Sequence, residues 1–154
     1  MIPDFPEIDS ILETELPIQF FAEDIDFDLT NQTIISDWIK VLINNHKKEL
    51  HLLNFIFCSD SYLHQINVEY LNHDTLTDII TFPYAEIPII HSDIFISIDR
   101  VKENSTLFKT TFEKELHRVI IHGVLHLCGF GDKNETEKKE MRNQEEKALA
   151  LLPI

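Results

Sequence analysis

The chain has 154 residues, 44% of them apolar, and a formal net charge of −14 from 27 acidic and 13 basic side chains. That length is enough for one domain over residues 1–154 with a proper core, and eleven phenylalanines point to an aromatic-rich interior. The charge argues against broad electrostatic binding of nucleic acid, which relies on Lys and Arg, and leaves open a local groove around a metal.

No apolar run is long enough to cross a bilayer. Met1-Ile2-Pro3-Asp4-Phe5 carries no basic segment leading into an apolar stretch, so no secretory signal is expected. Cys58 and Cys128 have neither zinc-ribbon nor redox-pair spacing, and read as reduced, half-buried packing residues of a cytoplasmic protein.

Residues 1–16 are acidic and punctuated by proline, an irregular arm. Ile18–Phe27 reads as a first strand with Phe20 and Phe21 as core candidates. Leu29-Thr30-Asn31 starts a helix whose Ile34, Ile35, Trp38, Ile39, Val41 and Leu42 recur at helical spacing to about Asn45. Leu50–Cys58 alternates as a strand, and Ser59-Asp60-Ser61 caps a short helix carrying Leu63, Ile66, Asn67 and Tyr70. Thr77–Tyr84 and Ile87–Ile98 are rich in β-branched and aromatic residues, with Pro83 and Pro88 marking the break between two strands. Three helices follow: Asp99–Leu107, Thr111–Leu127, and Asn134–Leu151, the last capped by Asn134 with Glu137 three positions on. The order β-α-β-α-β-β-α-α-α predicts an α+β fold: a central mixed sheet of about four strands with helices packed on it. No repeat, linker or low-complexity tract divides the chain.

The motif that carries chemistry lies on the penultimate helix, in the C-terminal half. His122 and His126 are four apart and share a helical face. Gly129 can end the helix and turn the chain, which gives Asp132 a route to the same point. Two imidazoles and a carboxylate with a fourth position open suit a catalytic Zn²⁺, or another divalent ion, that acidifies water and polarises a phosphoryl or carbonyl oxygen. Arg118 and Glu115 lie one and two turns before His122 on the same face. They are the candidate catalytic residues: Arg118 to grip a phosphate, Glu115 to orient an imidazole or handle a proton. Gly123 allows close approach by a substrate or a packed strand. His117, about 100° off that face, reads as surface or packing.

The stretch H-G-V-L-H-L-C-G-F-G-D over residues 122–132 resembles the signature of the YbeY family, single-strand-specific metal-dependent endoribonucleases of bacterial ribosome maturation. Two further blocks resemble that family: Ile66-Asn67-Val68-Glu69-Tyr70 with Asp74 and residues 77–83 (T-D-I-I-T-F-P), and Ser92-Asp93-Ile94-Phe95-Ile96-Ser97. The resemblance spans residues from about 18 to 150. It implies His122, His126 and Asp132 as metal ligands. It also implies hydrolysis of a phosphodiester in single-stranded RNA, by metal-activated water or by the metal as Lewis acid; the helical face of Arg118 would put it on the scissile phosphate. The implied setting is maturation of the 16S rRNA 3′ end and ribosome quality control, with the small ribosomal subunit and its proteins as partners, and no DNA or membrane.

The sequence departs from the family pattern in three places. Asp132 stands where the family has a third histidine, giving His₂Asp. Leu71 stands where a basic residue often follows the tyrosine, and Ser92 replaces a glycine. Two rival readings accompany this one. A zinc metalloprotease fits the ligand spacing, but Gly123 occupies the place of the glutamate base and Met141 lies in a helical pattern rather than a turn. A non-catalytic ribosome-assembly factor with a structural metal fits the acidic surface and Leu71.

Overall fold

A computed structural model describes residues 16–73 and 76–154. Four strands and five helices follow in chain order: β1 (Ile18–Ala22), α1 (Gln32–Asn45), β2 (Glu49–Cys58), α2 (Asp60–Leu71), β3 (Ile79–Pro83), β4 (Ile89–Ser97), α3 (Ile98–Leu107), α4 (Phe112–Leu127) and α5 (Glu135–Leu151). The strands form one mixed sheet in the order β1-β2-β4-β3. β1, β2 and β4 run parallel, and β3 pairs antiparallel to β4 at the edge. The α+β architecture and element order are those expected. The expected arm over 1–16 lies, but for Leu16, outside the described residues.

Local chemistry sets most boundaries. Ser59, Ser97, Thr111 and Asn134 each accept a hydrogen bond from the backbone N–H three residues on, at 3.1, 3.0, 3.1 and 2.8 Å, and so start α2 to α5. The first strand is shorter than its apolar pattern suggests, ending at Ala22 rather than Phe27. Its partner segment on β2 runs out at Phe57, and Asp24 instead accepts bonds from the Ser59 N–H and hydroxyl. Phe27 then packs edge-on against Phe57 and Phe112 as part of the core rather than of the sheet.

Alternation along the strands places Leu53, Phe55 and Phe57 of β2 and Ile90, Ile94 and Ile96 of β4 in the main core. Ile35, Ile39 and Ile43 of α1 and Leu116, Ile120 and Val124 of α4 belong to the same cluster. Each fully buried Ile or Phe contributes roughly 1.5–3 kcal/mol. Phe95 and its β3 partner Ile80 point to the other face, where Cys58 and Leu63 make a smaller cluster beneath α2. Both cysteines are free and buried, and burial pushes their thiols up, Cys58 to about 12 and Cys128 to about 11.

Gly123 sets how closely α4 sits on the sheet. A Cβ there would lie 2.7 Å from Ile79 Cδ1 and 3.3 Å from Ile94 Cδ1. Of the two uses the sequence allowed, close approach of a packed strand is the one observed. It brings the histidine face of α4 alongside the edge strand β3.

Candidate metal centre

His122 and His126 stand one turn apart near the end of α4, their rings 4.5 Å apart and nearly perpendicular. The helix closes at Gly129, whose φ of 110° is open to glycine and strained for other residues. The Gly129 N–H bonds the His126 carbonyl at 3.0 Å and the Phe130 N–H bonds the Leu125 carbonyl at 3.1 Å, the paired closure of a Schellman turn. The reversed chain then delivers Asp132. Its Oδ2 lies 3.2 Å from His126 Nε2 and 3.5 Å from His122 Nε2. One ligand atom from each residue falls within 4.8 Å of the others, a grouping that could hold a metal ion.

The outer nitrogens show which tautomer each ring takes. His122 Nδ1 is 2.6 Å from Glu145 Oε2, and His126 Nδ1 is 2.8 Å from the Phe130 carbonyl oxygen. An ionised carboxylate and a carbonyl only accept, so both Nδ1 atoms carry hydrogen and donate. Both Nε2 lone pairs then face the Asp132 carboxylate. Acceptors converging in this way need a cation or a proton between them, so the donor set fits a divalent metal. Burial alone would lower the His122 pKa; the bond to Glu145 and the charges of Glu145, Asp132 and Asp78 overcome it and raise the pKa above 6.5. Burial would raise the pKa of Glu145, but His122 and Arg118 hold it below the usual glutamate value.

Arg118 and Glu115 share the histidine face of α4 but stand behind the rings. Arg118 donates to Glu145 at 2.8 Å and to Glu146 at 2.9 Å, and its Nε is 3.9 Å from Glu115. Glu115 is buried, and burial raises its pKa against the opposing pull of Arg118. Neither lines the open groove beside the centre. His117 packs edge-on against Trp38, as a packing residue does.

That groove, about 420 Å³, runs between the edge strand β3 and the histidine face, with Leu71, His73, Asp78 and Thr81 in its walls. No Lys or Arg lines it among the described residues. Burial raises the pKa of Asp78, and the nearby His122 counteracts this. Two residues of the site were given no role by the sequence. Glu145 sits on the buried stripe of α5 with Met141 and Ala148, and a glutamate at such a position is a signal, since it needs a partner. Asp78 stood in the T-D-I-I-T-F-P block with no role attached to it.

Fold and site together define an α+β protein with a candidate His₂Asp centre beside an open groove at a sheet edge. Residues 18–153 match the family model described as Endoribonuclease YbeY, and the chain belongs to that family of endoribonucleases. It is 52% identical to the Endoribonuclease YbeY of Amoebophilus asiaticus over 129 residues, 83% of this chain and 88% of that one. It is 45% identical to that of Flavobacterium johnsoniae over 134 residues, 87% and 96% of the two chains. Among solved structures it is similar to the solution structure of TM1509 from Thermotoga maritima, with 29% identity, a TM-score of 0.61 and 86% of each chain covered. No described helix is long and apolar enough to cross a membrane.

Proposed function

We propose that this chain is a single-domain, metal-dependent endoribonuclease that cuts single-stranded RNA in the cytoplasm. Its substrate is the 3′ end of 16S rRNA, and it serves small-subunit maturation and ribosome quality control. The observation that carries the reading is the convergence of two fixed-tautomer imidazoles and one carboxylate beside an open groove. Membership of an endoribonuclease family supplies the reaction class.

His122, His126 and Asp132 hold the ion in this reading, and Zn²⁺ suits two nitrogens and one oxygen. When bound, a divalent cation there supplies Lewis acidity towards a phosphoryl oxygen or a water molecule. The chain's own residues do the positioning. Glu145 and the Phe130 carbonyl fix the two rings, and Arg118 holds Glu145 in turn. Its guanidinium is already committed to Glu145 and Glu146, so we assign Arg118 to the support of His122 rather than to the scissile phosphate. Glu115 backs Arg118.

A protease would need a base beside the metal, and the place next to His122 is Gly123, packed on Ile79. The test pairs elemental analysis with digestion of single-stranded RNA, duplex RNA and casein. One zinc per chain, lost in Asp132→Ala, with chelator-sensitive cutting of single strands alone, is the expected result. Metal-loaded protein that cuts no RNA but still associates with ribosomes would favour an assembly factor.

A further inference from the structure

The groove beside the candidate centre has an unusual pair of walls for a site that handles RNA. One is the histidine face of α4. The other is the free edge of β3, since no other strand pairs with that edge among the described residues. The Asp78 carbonyl accepts from Ser97 and the Tyr84 N–H donates to His91. In an antiparallel pair the bonding positions alternate, so positions 78, 80, 82 and 84 serve the β4 ladder. Positions 79, 81 and 83 then direct their backbone groups to the free edge. The Ile79 carbonyl receives the Thr77 hydroxyl at 3.2 Å, and Pro83 has no N–H. Thr81 is left presenting one N–H and one C=O side by side, in the wall of the groove.

A second observation points the same way. Among the described residues the walls carry Asp78 and Asp132 and no Lys or Arg. The guanidinium behind the centre, Arg118, is held by Glu145 and Glu146, and that of Arg100, whose charge reaches Asp78, is held by Asp60. A backbone of many phosphates finds no track here. We propose that the free edge of β3 reads unpaired nucleobases, with Thr81 N–H and C=O pairing to the Watson–Crick edge of a base next to the scissile phosphate.

Each of the four bases offers a neighbouring donor and acceptor on that edge, so Thr81 accepts any base that is not already paired. This gives a need for a single strand without a need for a sequence. It rests on the endoribonuclease reading and adds to it how the strand is held.

The test is binding of 2′-O-methyl oligomers, labelled with fluorescein, to the zinc-loaded protein by anisotropy. A short uridine oligomer is compared with an abasic oligomer carrying the same phosphates. The abasic oligomer is expected to bind about tenfold more weakly, from the loss of the base-edge hydrogen bonds. The log–log salt dependence for the uridine oligomer is expected to have a slope of about −0.7 to −1.4, one or two phosphates. Thr81→Pro removes the outward N–H without touching the β4 ladder, and should weaken the uridine oligomer while zinc affinity, measured in parallel, is unchanged. Equal binding of both oligomers, or a slope of several phosphates, would overturn the proposal even if the enzyme cuts RNA. So would an extended peptide that displaces the uridine oligomer from the edge. Failure of both oligomers to bind would remove the endoribonuclease reading and this proposal together.

Discussion

Glu145→Ala offers the sharpest check on the centre. The Glu145 side chain is 6% exposed and holds His122 Nδ1 at 2.6 Å and Arg118 at 2.8 Å. Removing it frees the His122 ring to turn and leaves the Arg118 charge with Glu146 and the more distant Glu115. Loss of a carboxylate behind a metal-binding imidazole typically costs 10–100-fold in metal affinity, about 1.4–2.7 kcal/mol. Breaking a buried pair costs up to about 3–5 kcal/mol of stability, and the low end applies because Arg118 keeps two other carboxylates. Zinc affinity by chelator competition and urea unfolding of the metal-free protein separate the two effects.

Acidity adds a second readout. The His122 pKa is raised in the folded, metal-free protein, so its pairing with Glu145 stabilises fully below about 6.5 and is lost as pH rises through the folded value. Zinc needs the neutral ring, so its affinity runs the other way and falls as pH drops through that value. Glu145→Gln keeps an acceptor but removes the charge, and should shift the pH midpoint of zinc uptake downward. If Glu145→Ala binds zinc as tightly as the parent, with the same pH midpoint, the assigned tautomers are wrong.

Three further outcomes follow from the packing. Gly123→Val places branched carbons where even a Cβ meets Ile79 at 2.7 Å, and should cost about 1–3 kcal/mol in urea unfolding; an unchanged midpoint would show that α4 can lift off the sheet freely. Burial would raise the Asp60 pKa, but bonds from Arg100 at 2.6 Å and Ser97 at 3.0 Å lower it below 3.8. Its contribution is therefore complete above 3.8 and disappears as pH falls through the depressed value, so Asp60→Asn should flatten the acid limb of the stability profile measured by thermal melts. Leu71→Arg brings a cation into the groove wall and should tighten single-stranded RNA and steepen its salt dependence by about 0.7, read by anisotropy across a salt series.

Much of this molecule was legible before folding because its signals are local. Side-chain caps at Ser59 and Asn134 and the helical spacing of His122 and His126 need only a few neighbouring residues to be recognised. Gly129 and Asp132 were also readable, since a turn and a short return path bring the carboxylate back. Glu145 was not. It lies 23 residues from His122, and only the docking of α5 on α4 brings the two together. Arg118 was placed on the histidine face, but its pairing with Glu145 and Glu146 was not legible for the same reason: α5 brings those carboxylates to it. The overextended first strand shows the reverse case, where Ile25 and Phe27 carry the apolar signal of a strand but use it to pack on the core.

The Schellman turn at Gly129 has a consequence for which length changes the chain can accept. From His126 the chain turns, yields the Phe130 carbonyl and the Asp132 carboxylate, caps α5 at Asn134, and returns through Glu145 to His122. Spacing along this circuit works as a ruler. One residue inserted in α5 before Glu145 would rotate that carboxylate by about 100° away from the ring. The same insertion after Ala148 would leave every group of the circuit in place. Relatives that keep this centre should therefore vary in length beyond α5, or in the loops before α4, rather than between Gly129 and Glu145.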